Sequence, residues 1–265
     1  MNNITGIIIT LNEEKNIKDC ILSLLQICNE IIIIDSESSD KTCEIAEQFG
    51  AKVYVQPYLG DGLQKNIGLQ YATNRWIFSM DADERLMPEL VDAINAIDLN
   101  STNYWGFAVK RRNYIGSRWV RCCGWYPDYV VRLFRHDKLQ FAEVKQHATI
   151  SKKNTLRLKA DLLHFSYNNI GELFSKPERN FSTRAAKIMF LNGKRANAFS
   201  PVFHGLGAFI KNYFFKRGIF NGIDGLTLSI AIACNSYLKY AKLLEYQRDI
   251  EVRNKEDFET IWSKR

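Results

Sequence analysis

The sequence predicts an α/β protein built on a Rossmann-like, mostly parallel sheet with helices on both faces. Three observations carry that prediction. Short β-branched runs alternate with helix-period segments through residues 1–100. Those runs are apolar at consecutive positions rather than at every second one, as in strands buried on both faces. Three of the strand ends then give way to polar and acidic residues.

Ile7-Ile8-Ile9 and Ile31-Ile32-Ile33-Ile34 are the first two strands. Between them Ile17, Ile21, Leu24, Leu25 and Cys28 recur at helical spacing, with Asn12 placed as the N-cap. A second helix follows Ser39-Asp40, buries Ile45, Ala46 and Phe49, and stops at Gly50, the residue type best suited to closing a helix. Val53-Tyr54-Val55 is a third strand, Leu63 to Ala72 a third helix, and Trp76-Ile77-Phe78-Ser79-Met80 a fourth strand. Such a βαβαβαβ order predicts parallel pairing with right-handed crossovers. Residues 101–160 read as a smaller, second set of strands at Trp105 to Val109, Tyr129 to Phe134 and Thr155 to Lys159. From Asn169 the chain reads helical, with Phe174, Phe181, Ala185, Ile188 and Met189 as the apolar face. The expected organisation is 1–100, 101–168 and 169–265, with no Pro/Gly/Ser linker to mark a boundary and no internal repeat.

Composition narrows the class. A hydrophobic content of 46% with 5 Pro and 15 Gly is globular, which excludes disordered and collagen-like chains. The net charge of +7 divides unevenly: residues 1–100 hold 7 basic and 16 acidic side chains, a net of −9, and residues 101–265 carry a net of +16. An acidic first half argues against nucleic acid as a partner, because it repels phosphates. The six cysteines form no CxxC pair and no zinc-finger spacing. The apolar run at Gly6 to Thr10 meets Asn12-Glu13-Glu14 at once, so no secretory leader is expected and the thiols are read as reduced and cytosolic. The longest apolar stretch, Leu226 to Cys234, is about half of a membrane span.

Open parallel sheets bind ligands at the carboxyl ends of their strands. Those ends are Thr10-Leu11-Asn12-Glu13, Asp35-Ser36-Glu37-Ser38 and Asp81-Ala82-Asp83-Glu84. Neither GxGxxG nor GxxxxGK[ST] occurs, so dinucleotide and P-loop sites lose their support. A sugar nucleotidyltransferase would carry a glycine-rich loop after the first strand, where this chain has none, and a non-catalytic surface protein would leave the carboxylate motifs without a task. Asp81-x-Asp83 behind an apolar strand aims two oxygen ligands into the cleft, a set suited to hard Mg²⁺ or Mn²⁺.

Together, Thr10-Leu11-Asn12-Glu13-Glu14, Ile34-Asp35-Ser36-x-Ser38-x-Asp40-x-Thr42, Gly62-x-Gln64-Lys65-Asn66 and Asp81-Ala82-Asp83-Glu84 resemble the motifs of family 2 glycosyltransferases of the GT-A fold. Gly124-Trp125-Tyr126-Pro127-Asp128, Arg132-Leu133-Phe134-Arg135, His164-Phe165-Ser166-Tyr167 and Tyr240-Ala241-Lys242-Leu243 are similar to one branch, the bacterial lipopolysaccharide and lipooligosaccharide inner-core β-1,4-glucosyltransferases.

The resemblance implies a GT-A fold with a nucleotide-sugar half at 1–100, an acceptor half with a smaller sheet at 101–168, and a helical extension. It implies an inverting transfer of glucose from a UDP-sugar donor, UDP-glucose, to an inner-core heptose on lipid A, with an exopolysaccharide or other glycolipid as the alternative acceptor. Thr10, Leu11, Glu13 and Asp35 would hold the uridine, with Gly62 and Lys65 beside the nucleotide and Asp81 and Ala82 by the ribose. Asp83 would be the main metal ligand, with Asp81 and His164 completing the set; otherwise His164 is a hydrogen-bonded core histidine.

Asp128 is the expected base that takes the acceptor's proton, behind an aromatic wall of Trp125 and Tyr126. Its other reading is an ion pair with Arg132 four residues on. Lys110, Arg111, Arg112, Arg118 and Arg121 are expected to meet phosphates of a phosphorylated glycolipid acceptor, or else to form a solvated face. The branch shows Val-His-Glu where this chain has Val144-Lys145-Gln146, with His147 one place later. In the last third, Phe203, Phe209, Tyr213, Phe214, Phe215, Tyr237 and Tyr240 interleave with Lys211, Lys216, Arg217, Lys239 and Lys242. That pattern fits either an anionic membrane surface or a core with snorkelling lysines. The expected location is cytoplasmic, peripheral on the inner face of the cytoplasmic membrane.

Overall fold

The computed structural model describes residues 3–142, 148–176 and 181–252, with side chains described to 249. Val144-Lys145-Gln146 and His147 lie outside the described residues. The chain divides into two compact units, Met1–Tyr114 with Tyr126–Ser166, and Ile115–Trp125 with Tyr167–Arg265.

In the first unit the order is β1 (Ile4–Thr10), α1 (Ile17–Leu24), β2 (Glu30–Asp35), α2 (Thr42–Gln48), β3 (Lys52–Val55), α3 (Asp61–Tyr71), β4 (Trp76–Asp81), β5 (Glu84–Leu86), α4 (Pro88–Asn95) and β6 (Gly106–Ile115). A two-residue strand, β7 (Arg118–Trp119), belongs to the second unit; β8 (Asp128–Arg135) and β9 (Thr155–Tyr167) follow. Eight strands run in the order β3-β2-β1-β4-β8-β6-β9-β5. β3, β2, β1 and β4 pair in parallel, as the alternation predicts. The later strands do not form a smaller sheet of their own, as expected, but extend this one. β8 pairs antiparallel with β4, with Ile77 opposite Phe134 and Phe78 opposite Leu133. Both β4 residues are fully buried, and an unpaired β4 edge would leave their backbone groups without partners.

The consecutive isoleucines serve two cores. Ile4, Ile8 and Ile33 pack with Ile17, Ile21 and Leu24 of α1 and with Leu90 and Ile94 of α4. Ile7, Ile32 and Ile34 point the other way, toward Leu69 of α3. Side chains alternate across a strand, so a run apolar at every position needs a helix on each face. Gly50 takes φ +80 after α2, as its C-terminal role requires. Asn12 departs from its expected role: α1 starts after Asn16, and Asn12 sits at φ +56. Its backbone N–H donates to Ser38 Oγ at 2.8 Å, and its Oδ1 accepts from Ser39 N–H at 2.8 Å. Asn12 therefore ties the end of β1 to the loop after β2 instead of capping a helix.

The second unit holds α5 (Ile170–Lys176), α6 (Thr183–Leu191), α7 (Ser200–Ile210) and the long α8 (Gly222–Val252), with a π turn at Lys211–Phe215 and a 3₁₀ turn at Gly218–Asn221. Cys122 and Cys123 are buried there with Ile115, Val120, Leu173, Leu228 and Ala231. Burial first, with its neighbour Cys123 adding, pushes the Cys122 thiol up to about 12, so this pair is inert core rather than a reactive site. No helix among the described residues is long and apolar enough to cross a membrane.

Gly68 is where α3 lies closest to the sheet. A Cβ there would stand 2.7 Å from Ile7 Cγ2 and 3.3 Å from Ile34 Cγ1. Gly68→Ala is therefore expected to cost about 1–3 kcal/mol by overpacking, read as a lower urea midpoint. An unchanged midpoint would mean that α3 shifts freely, and that it does not fix the lysine it carries.

Candidate active site

The parallel register brings the predicted strand ends to one edge. Thr10 lies opposite Asp35, and Ile9 opposite Asp81. Thr10 Oγ1 donates to Asp35 Oδ2 at 2.8 Å; Ser38 adds its N–H to Oδ1 at 2.7 Å and its hydroxyl to Oδ2 at 2.6 Å. Asp35 is fully buried and holds the loop after β2 through Ser38. Leu11 is exposed beside it. Glu13 anchors the start of α1: its N–H donates to Thr42 Oγ1 at 2.8 Å, and its carboxylate accepts from Asn16 at 2.7 Å.

α3 supplies the next group. Gly60 enters it at φ +111, a conformation open to glycine, and Gly62 is buried in its first turn. Gln64 is also buried and donates to Ser36 Oγ at 3.0 Å. Lys65 is 6% exposed and donates to Asp81 Oδ1 at 2.7 Å. The other Asp81 oxygen accepts from Arg132 Nη2 at 2.8 Å. Burial alone would raise the Asp81 pKa, but the Arg132 and Lys65 cations outweigh it and hold this carboxyl well below the usual range.

Asp83 and His164 are brought together by the antiparallel pairing of β5 with β9, in which Glu84 lies opposite His164. Phe165 N–H donates to the Asp83 carbonyl at 2.9 Å, and His164 Nε2 stands 3.5 Å from Asp83 Oδ2. The far ring nitrogen, Nδ1, lies 2.7 Å from Asn113 Oδ1 and 3.1 Å from Ser166 Oγ. Burial would lower the His164 pKa, yet the Asp83 carboxylate raises it overall. Ala82 is buried between the two aspartates.

For a divalent cation, the fit is partial. A carboxylate and an imidazole 3.5 Å apart suit two neighbouring ligands of one ion, and the Nδ1 contact orients the ring as metal-bound histidines require. Asp81 does not suit the role, since both its oxygens are engaged by cations. Among the described residues no three His, Cys, Asp or Glu side chains gather as a metal cluster.

Asp128 opens β8 and lies opposite Arg111 of β6. Arg111 donates to Asp128 Oδ2 from Nε at 2.8 Å and from Nη2 at 2.6 Å. Among the described residues Oδ1 accepts no hydrogen bond. The alternative i+4 pair with Arg132 does not form. Four residues of extended strand hold the two side chains about 13 Å apart, and Arg132 donates instead to Asp81 and to Glu84 Oε1. Arg112 donates to Asp161 Oδ2 at 2.5 Å, Lys110 pairs with the same carboxylate at 3.1 Å, and Tyr126 OH lies 3.3 Å from it. In the second unit Arg118 pairs with Asp224 at 2.7 Å, Arg121 stacks on Trp119 at 3.7 Å, and Trp125 stacks with Tyr167 at 6.0 Å.

Asp161 and Asn113 escaped the sequence reading, and Arg132 and Glu84 entered it only as motif members, without the ion pair they form. A signal for Arg132 was present: a cation inside Val130-Val131-Arg132-Leu133-Phe134 must find a buried partner.

Residues 5–158 match the family model described as Glycosyl transferase family 2. The chain is 33% identical over 261 residues to a Rickettsia felis protein named an uncharacterized glycosyltransferase, covering 92% of this chain and 90% of that one. It is 29% identical over 259 residues to the lipopolysaccharide core biosynthesis glycosyltransferase LpsC of Rhizobium meliloti, covering 92% of each. Among solved structures, Staphylococcus aureus TarS superposes with a TM-score of 0.49 at 14% identity, covering 94% of this chain and 92% of that one.

Removing the Arg132 guanidinium would leave fully buried Glu84 with only Arg111, at 3.8 Å, and Asp81 with only Lys65. Arg132→Met is therefore expected to lose about 3–5 kcal/mol at neutral pH. Asp81 has a depressed folded-state pKa, so its contribution is complete above about pH 4 and fades as pH falls below it. Wild type and variant should converge in acid when urea unfolding is followed against pH. A gap that stays constant into acid would show that the lost stability is packing, not charge pairing.

Proposed function

The chain belongs to glycosyl transferase family 2, and from that premise we propose that it moves glucose from UDP-glucose, with inversion, onto an inner-core sugar of lipopolysaccharide or lipooligosaccharide. One observation carries this reading: the carboxyl edge of the parallel strands holds Thr10, Asp35, Asp81 and Asp83 in a row, with Lys65 and His164 beside it. Among the described residues of the first unit, this edge joins a hydroxyl-and-carboxylate wall for a nucleoside to a carboxylate–imidazole pair for a cation. The acceptor class is supported by the 29% identity to LpsC.

Thr10, Leu11, Glu13, Asp35 and Gly62 form the uridine side. Lys65 and Arg132 neutralise Asp81, which lets a diphosphate approach an edge that is otherwise acidic. Mg²⁺ or Mn²⁺, held by Asp83 and His164, would supply Lewis-acid stabilisation of the departing diphosphate. On the acceptor side Arg111 fixes Asp128 by one oxygen and leaves Oδ1 to receive the hydroxyl proton. The acceptor oxygen bonds to the sugar carbon, the bond from that carbon to the diphosphate breaks with its electron pair, and UDP leaves. Tyr126, fixed through its hydroxyl by Asp161, offers a ring face for the acceptor sugar, and Arg111 and Arg112 lie where acceptor phosphates would be met. With a glycolipid acceptor the enzyme works at the inner face of the cytoplasmic membrane, as a peripheral protein.

Purified protein assayed with UDP-glucose, UDP-galactose and UDP-N-acetylglucosamine against truncated lipooligosaccharides tests the reading. Glucose transfer to a heptose-terminated core is expected. Transfer from another donor, or only to an exopolysaccharide intermediate, replaces it. Asp128→Asn should bind UDP as wild type does and lose transfer by about 10²–10⁴-fold; near-normal turnover removes Asp128 as the base. Excess chelator should abolish transfer, with added Mn²⁺ restoring it. Full activity in chelator rules out the role given to Asp83 and His164.

A further inference from the structure

In the second unit α7 presses one face onto α8. A Cβ at buried Gly205 would stand 3.2 Å from Tyr237 Cβ and 3.4 Å from the Ala233 carbonyl oxygen. The other face of α7 is apolar as well. Phe199, Phe203 and Leu206 follow one another at helical three- and four-residue spacing, and all are exposed. The surface continues along the chain through the π and 3₁₀ turns into α8, with Phe215 at 81%, Phe220 at 82% and Ile223 at 66% exposure.

The sequence left two readings of these aromatics, and the structure sorts them. Phe209 and Tyr213 stack at 5.2 Å and are half-buried, and Tyr240 lies against His204 at 3.7 Å, so these three serve packing. The phenylalanines above do not. Around them, residues 191–223 hold Lys194, Arg195, Lys211, Lys216 and Arg217, all exposed, and no Asp or Glu.

We infer that this surface seats in the interface of an anionic phospholipid bilayer, with the phenylalanines at the acyl boundary and the cations among the headgroups. Charge selects this occupant over a second copy of the chain: two such surfaces face to face would oppose cation to cation with no carboxylate in the segment, whereas anionic headgroups supply the missing charge. No helix among the described residues is long and apolar enough to cross a membrane, so the proposed contact is with the bilayer surface. The inference gives the glycolipid reading a physical surface, but it stands or falls on lipid binding alone.

Flotation of the full chain with phosphatidylcholine vesicles, with and without phosphatidylglycerol, tests it alongside light scattering. Flotation with the phosphatidylglycerol vesicles at low salt is expected, weakening as salt rises. The triple change Phe203→Ser, Phe215→Ser and Phe220→Ser should cut partitioning by about tenfold or more while keeping the wild-type Tm, because these side chains are already in water. Lys211→Glu with Lys216→Glu and Arg217→Glu should do the same. Absence of flotation at low salt, or flotation untouched by both variants, overturns the inference. So does a dimer that the phenylalanine changes split while vesicles remain unbound. Flotation without sugar transfer would uphold the surface and overturn the proposed reaction instead.

Discussion

One buried guanidinium holds the carboxyl edge of the parallel strands in shape. Arg132 is 5% exposed and bridges Asp81 at the end of β4 to Glu84 at the start of β5, from a position in the middle of β8. Lys65 of α3 closes on the other Asp81 oxygen, so three strands and a helix meet at one carboxylate. Taking charges out of water costs several kcal/mol per ion unless geometry and further hydrogen bonds offset it. Here the offset is local: Glu84 Oε2 also accepts the Asp81 N–H at 3.1 Å. The turn between β4 and β5, which carries Asp83, is thereby fixed by charge as well as by the backbone ladder. Every group assigned to the cation or the diphosphate hangs from that turn or faces it.

The uneven charge of the chain takes on a different meaning at this resolution. Most of the carboxylates at the site are not a free acidic field; they are neutralised one by one by Lys65, Arg132, Arg111, Arg112 and Lys110. The cations of β6, expected as a phosphate-binding cluster, are committed to Asp128 and Asp161. They hold two carboxylates and the Tyr126 hydroxyl in place, and preorganised groups of that kind need no rearrangement when charge develops. In the helical unit Lys194, Arg195, Lys211, Lys216 and Arg217 are exposed beside phenylalanines, in a stretch without Asp or Glu.

The parallel half was legible because its signal is local. A run such as Ile31 to Ile34 can only be a strand covered on both faces, and its polar end marks the ligand edge without reference to any other segment. The antiparallel half hid its content because its partners lie far apart in sequence. Arg111 meets Asp128 across 17 positions, and Arg132 meets Asp81 across 51. Spacing along the chain suggested Asp128 with Arg132, but four residues of strand span about 13 Å, so positions 128 and 132 enter separate ion pairs. Asn12 was read as a cap because asparagine favours that place; the same side chain also tolerates positive φ, and the β1–β2 connection needed that property. In the last third the sequence supplied the composition, and burial alone separated packing aromatics from exposed ones.

The strand order also sets a sequence of events on the ribosome. A nascent chain that has emerged only through β4 already contains all four strands of the parallel array and both partners of the Thr10–Asp35 bond. It contains neither Arg132 nor His164. Until some fifty further residues have been synthesised, Asp81 has only Lys65 to answer it, and Asp83 gains its imidazole later still, when β9 folds back onto β5. The Thr10–Asp35 contact can thus form early, whereas Arg132 and His164 arrive with the last two strands of the sheet to leave the tunnel. A chain truncated before residue 164 would lack the imidazole that meets Asp83 and the helices of the second unit.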